Sequence, residues 1–402
     1  MGFGKRSVED LVITTVLSQP LGDVLERSYR GKRVLVTGHN GFVGSWLSYW
    51  LAQSGADVVG FALTPEKGGM ADCLGLDQLV TSLEIDIRDQ SILAASVRSY
   101  EPEIVFHLAA QALVLPSFED PIGTLATNVM GTAHLLEAVR HQPSVRACVV
   151  VTSDKCYATA EQAHEESDPF GGDDLYSASK AGAEIVVHAF RSSFLINSPL
   201  SIATARAGNI IGGGDWASHR IVPDCVRAIL AGEPVRLRQP MSVRPWQHVL
   251  DAVAGYLRLG DALLVDGAAV AEGWNFGPFS EATVTVAEVV KMFIKSWRSL
   301  GGDAKDPILE AGAAVPERAF LALVSEKARA RLGWAPLLDL PSTIAWTAEW
   351  YRSAQSQADT ARITSSQISQ YLAIDAEGRL ASTEPDLKSS KGSSPTSPTL
   401  RA

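Results

Sequence analysis

The chain has 402 residues, 46% hydrophobic and 20% charged, an ordinary globular composition that excludes a disordered or fibrous polymer. Its 35 Lys and Arg stand against 45 Asp and Glu, and the net charge of −10 excludes broad electrostatic capture of nucleic acid or an anionic membrane while leaving room for a local basic pocket. The four cysteines (Cys73, Cys148, Cys156 and Cys225) form no C-x-x-C pair, so no disulfide framework and no metal site is expected, and a reducing cytoplasm suits them.

Residues 1–30 precede the first strand and read as an N-terminal extension. Their apolar run is short and interrupted by Thr, and nothing later supplies about 18 consecutive apolar residues, so neither a signal peptide nor a membrane span is expected. From there strands and helices alternate. K-R-V-L-V-T is followed by a helical run from Gly41 to Ser54 and then by D-V-V-G-F-A-L. Further β-rich runs are L-E-I-D-I, E-I-V-F-H-L, A-C-V-V-V-T and L-S-I-A-T-A-R-A, with helices predicted near Gln90–Ser99, Pro121–Arg140 and Tyr176–Phe194. Near-continuous apolar strands separated by helices predict an α/β fold, a Rossmann-type doubly wound parallel sheet covered on both faces. This core is assigned to residues 31–207. Residues 208–380 read mainly as a smaller C-terminal substrate-binding lobe, partly returning to the core, at the carboxyl ends of the strands. Residues 383–402, S-S-K-G-S-S-P-T-S-P-T-L-R-A at their end, lack periodicity and read as a disordered tail.

Directly after the first strand, T-G-H-N-G-F-V-G spaces Gly38, Gly41 and Gly44 as G-x-x-G-x-x-G, with Asn40 and Phe42 between them. Such glycines permit a tight turn, close approach of backbone to a pyrophosphate and close helix–strand contact, and the helix N-terminus that follows attracts negative charge. In this βαβ context the loop predicts dinucleotide binding. The second strand ends in Phe61-Ala62-Leu63-Thr64, with neither a carboxylate for a ribose 2′-hydroxyl nor an Arg for a 2′-phosphate, so that position leaves NAD and NADP undecided. In D-I-R-D, Asp86 beside Ile87 is either an acceptor for the adenine amino group or a turn and N-cap carboxylate. Leu108, Ala109 and Ala110 end the fourth strand with small residues past which a cofactor can run, or which allow tight helix–sheet packing.

Y-S-A-S-K places Tyr176 and Lys180 one helical turn apart, where an ammonium is expected to lower the phenol toward working pH. Upstream, V-T-S-D-K-C-Y ends a strand with Ser153, Asp154 and Lys155 in succession. The glycine loop, Ser153 and Y-x-x-x-K, in that order, resemble the extended short-chain dehydrogenase/reductase superfamily over about residues 31–355. The variant S-D-K-C-Y, with T-G-H-x-G-F-x-G-S-W-L, R-A-G-N-I-I-G-G-G-D-W, R-P-W-Q-H-V and E-G-W-N-F-G-P, resembles within it the CDP-glucose 4,6-dehydratase family of nucleotide-sugar enzymes.

That resemblance implies bound NAD, a nucleotide-sugar substrate with CDP-glucose favoured, a cytoplasmic enzyme of deoxysugar biosynthesis, and a homodimer built on the helices near 121–140 and 176–195. It implies that Tyr176 takes the O4 proton, Ser153 hydrogen-bonds the developing carbonyl and Lys180 holds the ribose. Lys155 then removes the C5 proton and Asp154 protonates the departing C6 hydroxyl. A lysine base must be lowered from about 10.4, and an aspartic acid donor must be kept protonated. Asn209 is implied at the diphosphate, with Arg220 and Arg244 as candidate phosphate clamps, although either Arg alone is more commonly a salt bridge. Trp216, Trp246 and His248 read as core, and Asn128 as a packing or relay residue. Three segments depart from the family pattern, around Leu115-Pro116, residues 158–170 and residues 316–324, where the nucleotide and sugar are expected to lie. The rivals are a 4-epimerase or 4-ketoreductase on the same fold, which has no use for Asp154-Lys155, and a non-catalytic NAD-binding protein.

Overall fold

A strand with an apolar side chain at every position needs cover on both faces. In the computed structural model, which describes residues 19–65, 67–158, 162–237, 239–279, 283–309 and 320–383, the run Val34–Val36 lies in such a strand. Six strands, β1 (Arg33–Thr37), β2 (Asp57–Ala62), β3 (Thr81–Glu84), β4 (Ile104–His107), β5 (Ala147–Val151) and β6 (Ser201–Arg206), are followed by four short ones: β7 (Ile210–Ile211), β8 (Arg236–Leu237), β9 (Val243–Pro245) and β10 (Gln247–His248). Then β11 (Gly273–Asn275) rejoins the main sheet. The seven-stranded order is β11-β6-β5-β4-β1-β2-β3, and every pairing in it is parallel. The order reverses between β1 and β4, which opens a crevice at the strands' carboxyl ends.

The helices are α1 (Leu21–Ser28), α2 (Phe42–Gln53), α3 (Met70–Leu74), α4 (Gln90–Tyr100), α5 (Val114–Glu119), α6 (Pro121–Leu125), α7 (Thr132–Arg140), α8 (Leu175–Phe194), α9 (Ile221–Leu230), α10 (Val249–Val265), α11 (Val286–Ser299), α12 (Glu326–Leu332), α13 (Leu340–Ser353) and α14 (Gln357–Thr383). Alternation along β1 feeds two cores. Val34 and Val36 pack with Trp46 and Trp50 of α2 and with α10, whereas Leu35 packs with Leu135 of α7 and Val187 of α8. Helix α10 is buried continuously from Val249 to Leu263, so the second half of the chain supplies a central helix of the core.

Three features differ from the sequence reading. The strand expected at L-E-I-D-I lies at Thr81–Glu84, because an edge strand exposes Thr81, Ser82 and Glu84 while the apolar Ile85 and Ile87 are buried in the turn beyond it. The helix expected over 121–140 runs through that span without a break, but carries a π-helical turn at Ala126–Gly131 between α6 and α7. Part of the expected extension folds: α1 docks through fully buried Leu21, and Tyr29 donates to the Leu257 carbonyl of α10 at 2.6 Å. Residues 1–18 lie outside the described residues, as does the expected tail beyond Thr383, the last residue of α14.

Candidate active site

The loop after β1 is as tight as its glycines allow. Gly38 has φ 71°, and a Cβ there would meet the Ala109 backbone nitrogen at 2.7 Å; one on Gly44 would sit 2.0 Å from the Gly38 carbonyl oxygen. Gly41 caps α2 with no side-chain hydrogen bond, so the first amides of a twelve-residue helix stay available to an anion. Asn40 Nδ2 donates to the Leu63 carbonyl at 2.6 Å and ties the loop to the end of β2. This cradle fits a dinucleotide pyrophosphate. Asp86 is a turn carboxylate: its Oδ1 accepts from the Arg88 amide at 2.9 Å, and the Arg88 guanidinium, 2.6 Å from Oδ2, holds its carboxyl below the usual range. The N-cap of α4 is Asp89 instead.

A cavity of about 810 Å³ begins at this loop and runs along the strand ends. Gly38, Asn40, Gly41, Phe42, Gly44, Asp86, Ile87, Leu108, Ala109 and Ala110 line its first half. Ser153, Asp154, Lys155, Tyr176, Lys180, Asn209, Arg220 and Arg244 line the rest.

The strand β5 ends at Val151, and Ser153 caps a single 3₁₀ turn, Asp154–Cys156, by accepting from the Lys155 amide at 3.2 Å. The turn buries Asp154 to 1% exposure. Asp154 Oδ1 accepts from the Ser153 hydroxyl at 3.0 Å and Oδ2 from Asn209 Nδ2 at 3.2 Å, and Lys155 Nζ stands 4.0 Å from Oδ1. Asn209 is left-handed, φ 48°, a conformation Asn tolerates better than most residues. It therefore grips Asp154, where the sequence reading placed it on a diphosphate.

Asp174 caps α8 by accepting from the Ser177 amide and hydroxyl at 2.8 and 2.6 Å, which puts Tyr176 in the first turn. Lys180, one turn on, donates to the Val151 carbonyl at 3.4 Å. Burial pushes the Tyr176 phenol up to about 12, opposed by its hydrogen bond with Ser153. Burial also brings Lys180 down to about 8. Against the expected lowering of the phenol, desolvation is the largest influence on Tyr176, with Ser153 and Arg220 acting against it.

Arg220 pairs with Asp215 at 3.1 Å, and Arg244 is buried and donates to the Val243 carbonyl at 2.8 Å. Trp246 is core, 4% exposed, and also lines the cavity. Trp216 is half-buried on the cavity wall, and His248 caps α10 through Nδ1 while packing edge-on against Trp46 and Trp346. Asn128, in the π-helical turn, bridges the Gln111 backbone and Ser179 and so packs α8 against the end of β4. Among the described residues of the three divergent segments, only Leu115-Pro116 lines the cavity. His164 and residues 322–324 pair with each other instead, through His164 N–Ala322 O at 3.0 Å and Val324 N–His164 O at 2.8 Å.

Sequence reasoning missed Arg88, Asp215, His219 and Tyr256 on the cavity wall. Asp215 was visible in G-G-G-D-W; Tyr256, fully buried inside the apolar run of α10, carried no signal.

Residues 35–347 match the family model described as GDP-mannose 4,6 dehydratase. The CDP-glucose 4,6-dehydratase of Salmonella typhimurium is 42% identical over 352 residues, covering 86% of this chain and 97% of that protein. The chain belongs to the nucleotide-sugar 4,6-dehydratase family. Another member of this dehydratase family, the dTDP-glucose 4,6-dehydratase of Xanthomonas campestris, is 27% identical over 338 residues, 80% of this chain and 93% of that one. The dTDP-glucose 4,6-dehydratase of Streptomyces venezuelae, solved with NAD bound, superposes with a TM-score of 0.68 at 26% identity, over 80% of this chain and 97% of that one.

Proposed function

We propose that this dehydratase acts on CDP-glucose, forming CDP-4-keto-6-deoxyglucose with NAD as its resident cofactor. The observation that carries the reading is the turn Ser153–Asp154–Lys155 on the same cavity wall as Tyr176 and Lys180. Oxidation alone needs Ser153, Tyr176 and Lys180; an acid and an amine beside them suit elimination of water. The 42% identity to the Salmonella enzyme favours CDP-glucose among the nucleotide sugars.

NAD bound here would accept the C4 hydride of the sugar and return it to C6, and so be regenerated in each turnover. Gly38, Asn40, Gly41, Phe42 and Gly44, with the α2 amides, would hold its pyrophosphate. Asp86 and Ile87 would border the adenine, Leu108–Ala110 the nicotinamide half, and Lys180 the ribose. Tyr176 takes the proton from the sugar's O4 while Ser153 donates to the oxygen becoming a carbonyl. Lys155 removes the C5 proton, which the new 4-keto group acidifies. Asp154 gives its proton to the C6 hydroxyl, which leaves as water. Asn209 aims Asp154, and Arg220 and Arg244 clamp the diphosphate.

We also infer a homodimer through the helices at 121–140 and 175–194, on which Ile122, Met130 and Ile185 are exposed. The residue assignment of core to 31–207 and substrate lobe mainly to 208–380 is part of the same proposal. Free thiols at all four cysteines suit a cytoplasmic setting. No described helix is long and apolar enough to cross a membrane.

The deciding experiment incubates the protein and NAD with CDP-glucose, UDP-glucose, GDP-mannose and dTDP-glucose separately and follows product mass. Loss of one water from CDP-glucose without net NADH is the expected outcome. Unchanged mass with every substrate sinks the reading.

A further inference from the structure

We propose that the buried pair Glu184–Arg206 is a positioning pair for the dehydration, pinning both ends of the turn that carries Ser153, Asp154 and Lys155; this rests on the dehydratase reading above. Glu184 lies on α8 one turn beyond Lys180, and Arg206 ends β6 three residues before Asn209. They are 2% and 3% exposed. Arg206 meets Glu184 in a fork, Nε to Oε1 and Nη2 to Oε2, both at 2.9 Å.

Two further hydrogen bonds of the pair reach the residues flanking the catalytic turn, while Glu184 Oε2 also accepts from the Thr204 hydroxyl at 2.7 Å and Arg206 Nη1 also donates to the Glu166 carbonyl at 3.1 Å. Glu184 Oε1 accepts from the hydroxyl of Thr152, the residue before Ser153, at 2.5 Å. Arg206 Nη1 donates at 2.7 Å to the hydroxyl of Tyr157, the residue after the turn, and that hydroxyl donates to Asn275 Oδ1 at 2.6 Å. One ion pair thereby links the three chain segments that bring reacting groups to the cavity: the end of β5, helix α8 and the end of β6.

Fold stability alone does not require this arrangement. Burying two charges costs desolvation, and apolar residues of similar volume often hold a core as well or better. What apolar residues cannot do is direct hydrogen bonds along fixed lines, and the planar fork of Arg on a carboxylate does this. Displacement of a catalytic group by about 1 Å can cost about 10²-fold in rate. Glu184 also acts on Lys180. Acting with that ammonium are Cys156 from the turn, Glu184 from its own helix and His107 from β4; Cys156 and Glu184 favour its charged form against burial.

The test compares wild type with E184L/R206M, which replaces the ion pair by apolar volume, and with T152V/Y157F, which cuts both pins and leaves the pair intact. Thermal melting, kcat and KM for CDP-glucose, absorbance of reduced cofactor during turnover and the pH profile are read for each. Both variants are expected to fold and to lose about 10²-fold in kcat with little change in KM. Oxidation and elimination should slow together, because the displaced turn carries Ser153 as well as Asp154 and Lys155. In E184L/R206M the alkaline limb of kcat/KM should move to lower pH, since Lys180 has lost an anion. Wild-type kcat in T152V/Y157F, or in a folded E184L/R206M, overturns the proposal and leaves the pair merely structural. If E184L/R206M does not fold, T152V/Y157F decides alone. A wild type that dehydrates no sugar nucleotide removes the dehydratase reading itself, and the proposal with it.

Discussion

Each reacting group in the cavity has its own environment, and the environments predict separable phenotypes. Y176F should lower kcat by about 10²–10⁴-fold, the usual worth of a positioned base, with sugar oxidation and water loss falling together. K155M should separate them: product mass shows no water loss while reduced cofactor accumulates, because only the C5 proton abstraction is removed. Gly208 gives a second handle on the turn that carries Lys155. A Cβ there would meet the Asp154 carboxylate at 1.9–2.5 Å, so G208A is expected to displace that side chain and slow elimination at unchanged NAD affinity, read by calorimetry beside the turnover assay. The pH dependence follows from Lys180, which discharges near pH 8, well before Tyr176 ionises near 12. The rate constant kcat/KM should therefore fall as pH rises through about 8. Because burial lowers this folded-state value below the ordinary one, the unfolded chain binds more protons in between, and the cost of burying Lys180 declines as pH rises above 8.

Elements set how much of this was readable beforehand. The glycine loop, the strand ends and the Tyr176–Lys180 helix were legible because periodicity and spacing encode them locally, and the cavity assembles residues from all three. What escaped depends on tertiary surroundings. The edge position of β3 moved a strand away from its apolar residues, and Ile85 and Ile87 turned out to serve a buried turn. The π-helical turn at Ala126–Gly131, which aims Asn128 at Gln111, has no periodic signature. The partner of Asn209 could not be read, because Asp154 is remote in sequence and the left-handed backbone at Asn209 decides where its amide points. Helix α10 hides a further group: Asp251 Oδ1 accepts from the Leu337 amide and the Tyr371 hydroxyl, both at 2.8 Å, and burial pushes its carboxyl up to about 7. The folded chain thus binds more protons than the unfolded one between the ordinary carboxylate range and about 7, so stability falls as pH rises through that window. D251N should flatten this slope and raise the melting temperature above pH 7, measured by calorimetry across pH.

For the molecule as a whole, the proposed dimer places exposed Ile122 and Met130 in a helical interface, and I122D/M130D is expected to yield monomers by light scattering while NAD binding persists. A different consequence comes from the clasp between α1 and α14. The α1 amide of Leu21 is held by Asp375 of α14, and Asp375 also pairs with buried Arg258 of α10 at 3.0 Å. Nearby, Trp50 of α2 lies edge-on to Tyr371. Both clasping helices lie outside residues 35–347, the span that the family model matches. A chain trimmed to that span would uncover Trp50 and strand the guanidinium of Arg258 without its carboxylate, a loss of about 3–5 kcal/mol for a broken buried pair. A fragment cut at the limits of the family-model match would therefore sever this clasp, whereas the alignment with the Salmonella enzyme, over 352 residues, runs past those limits.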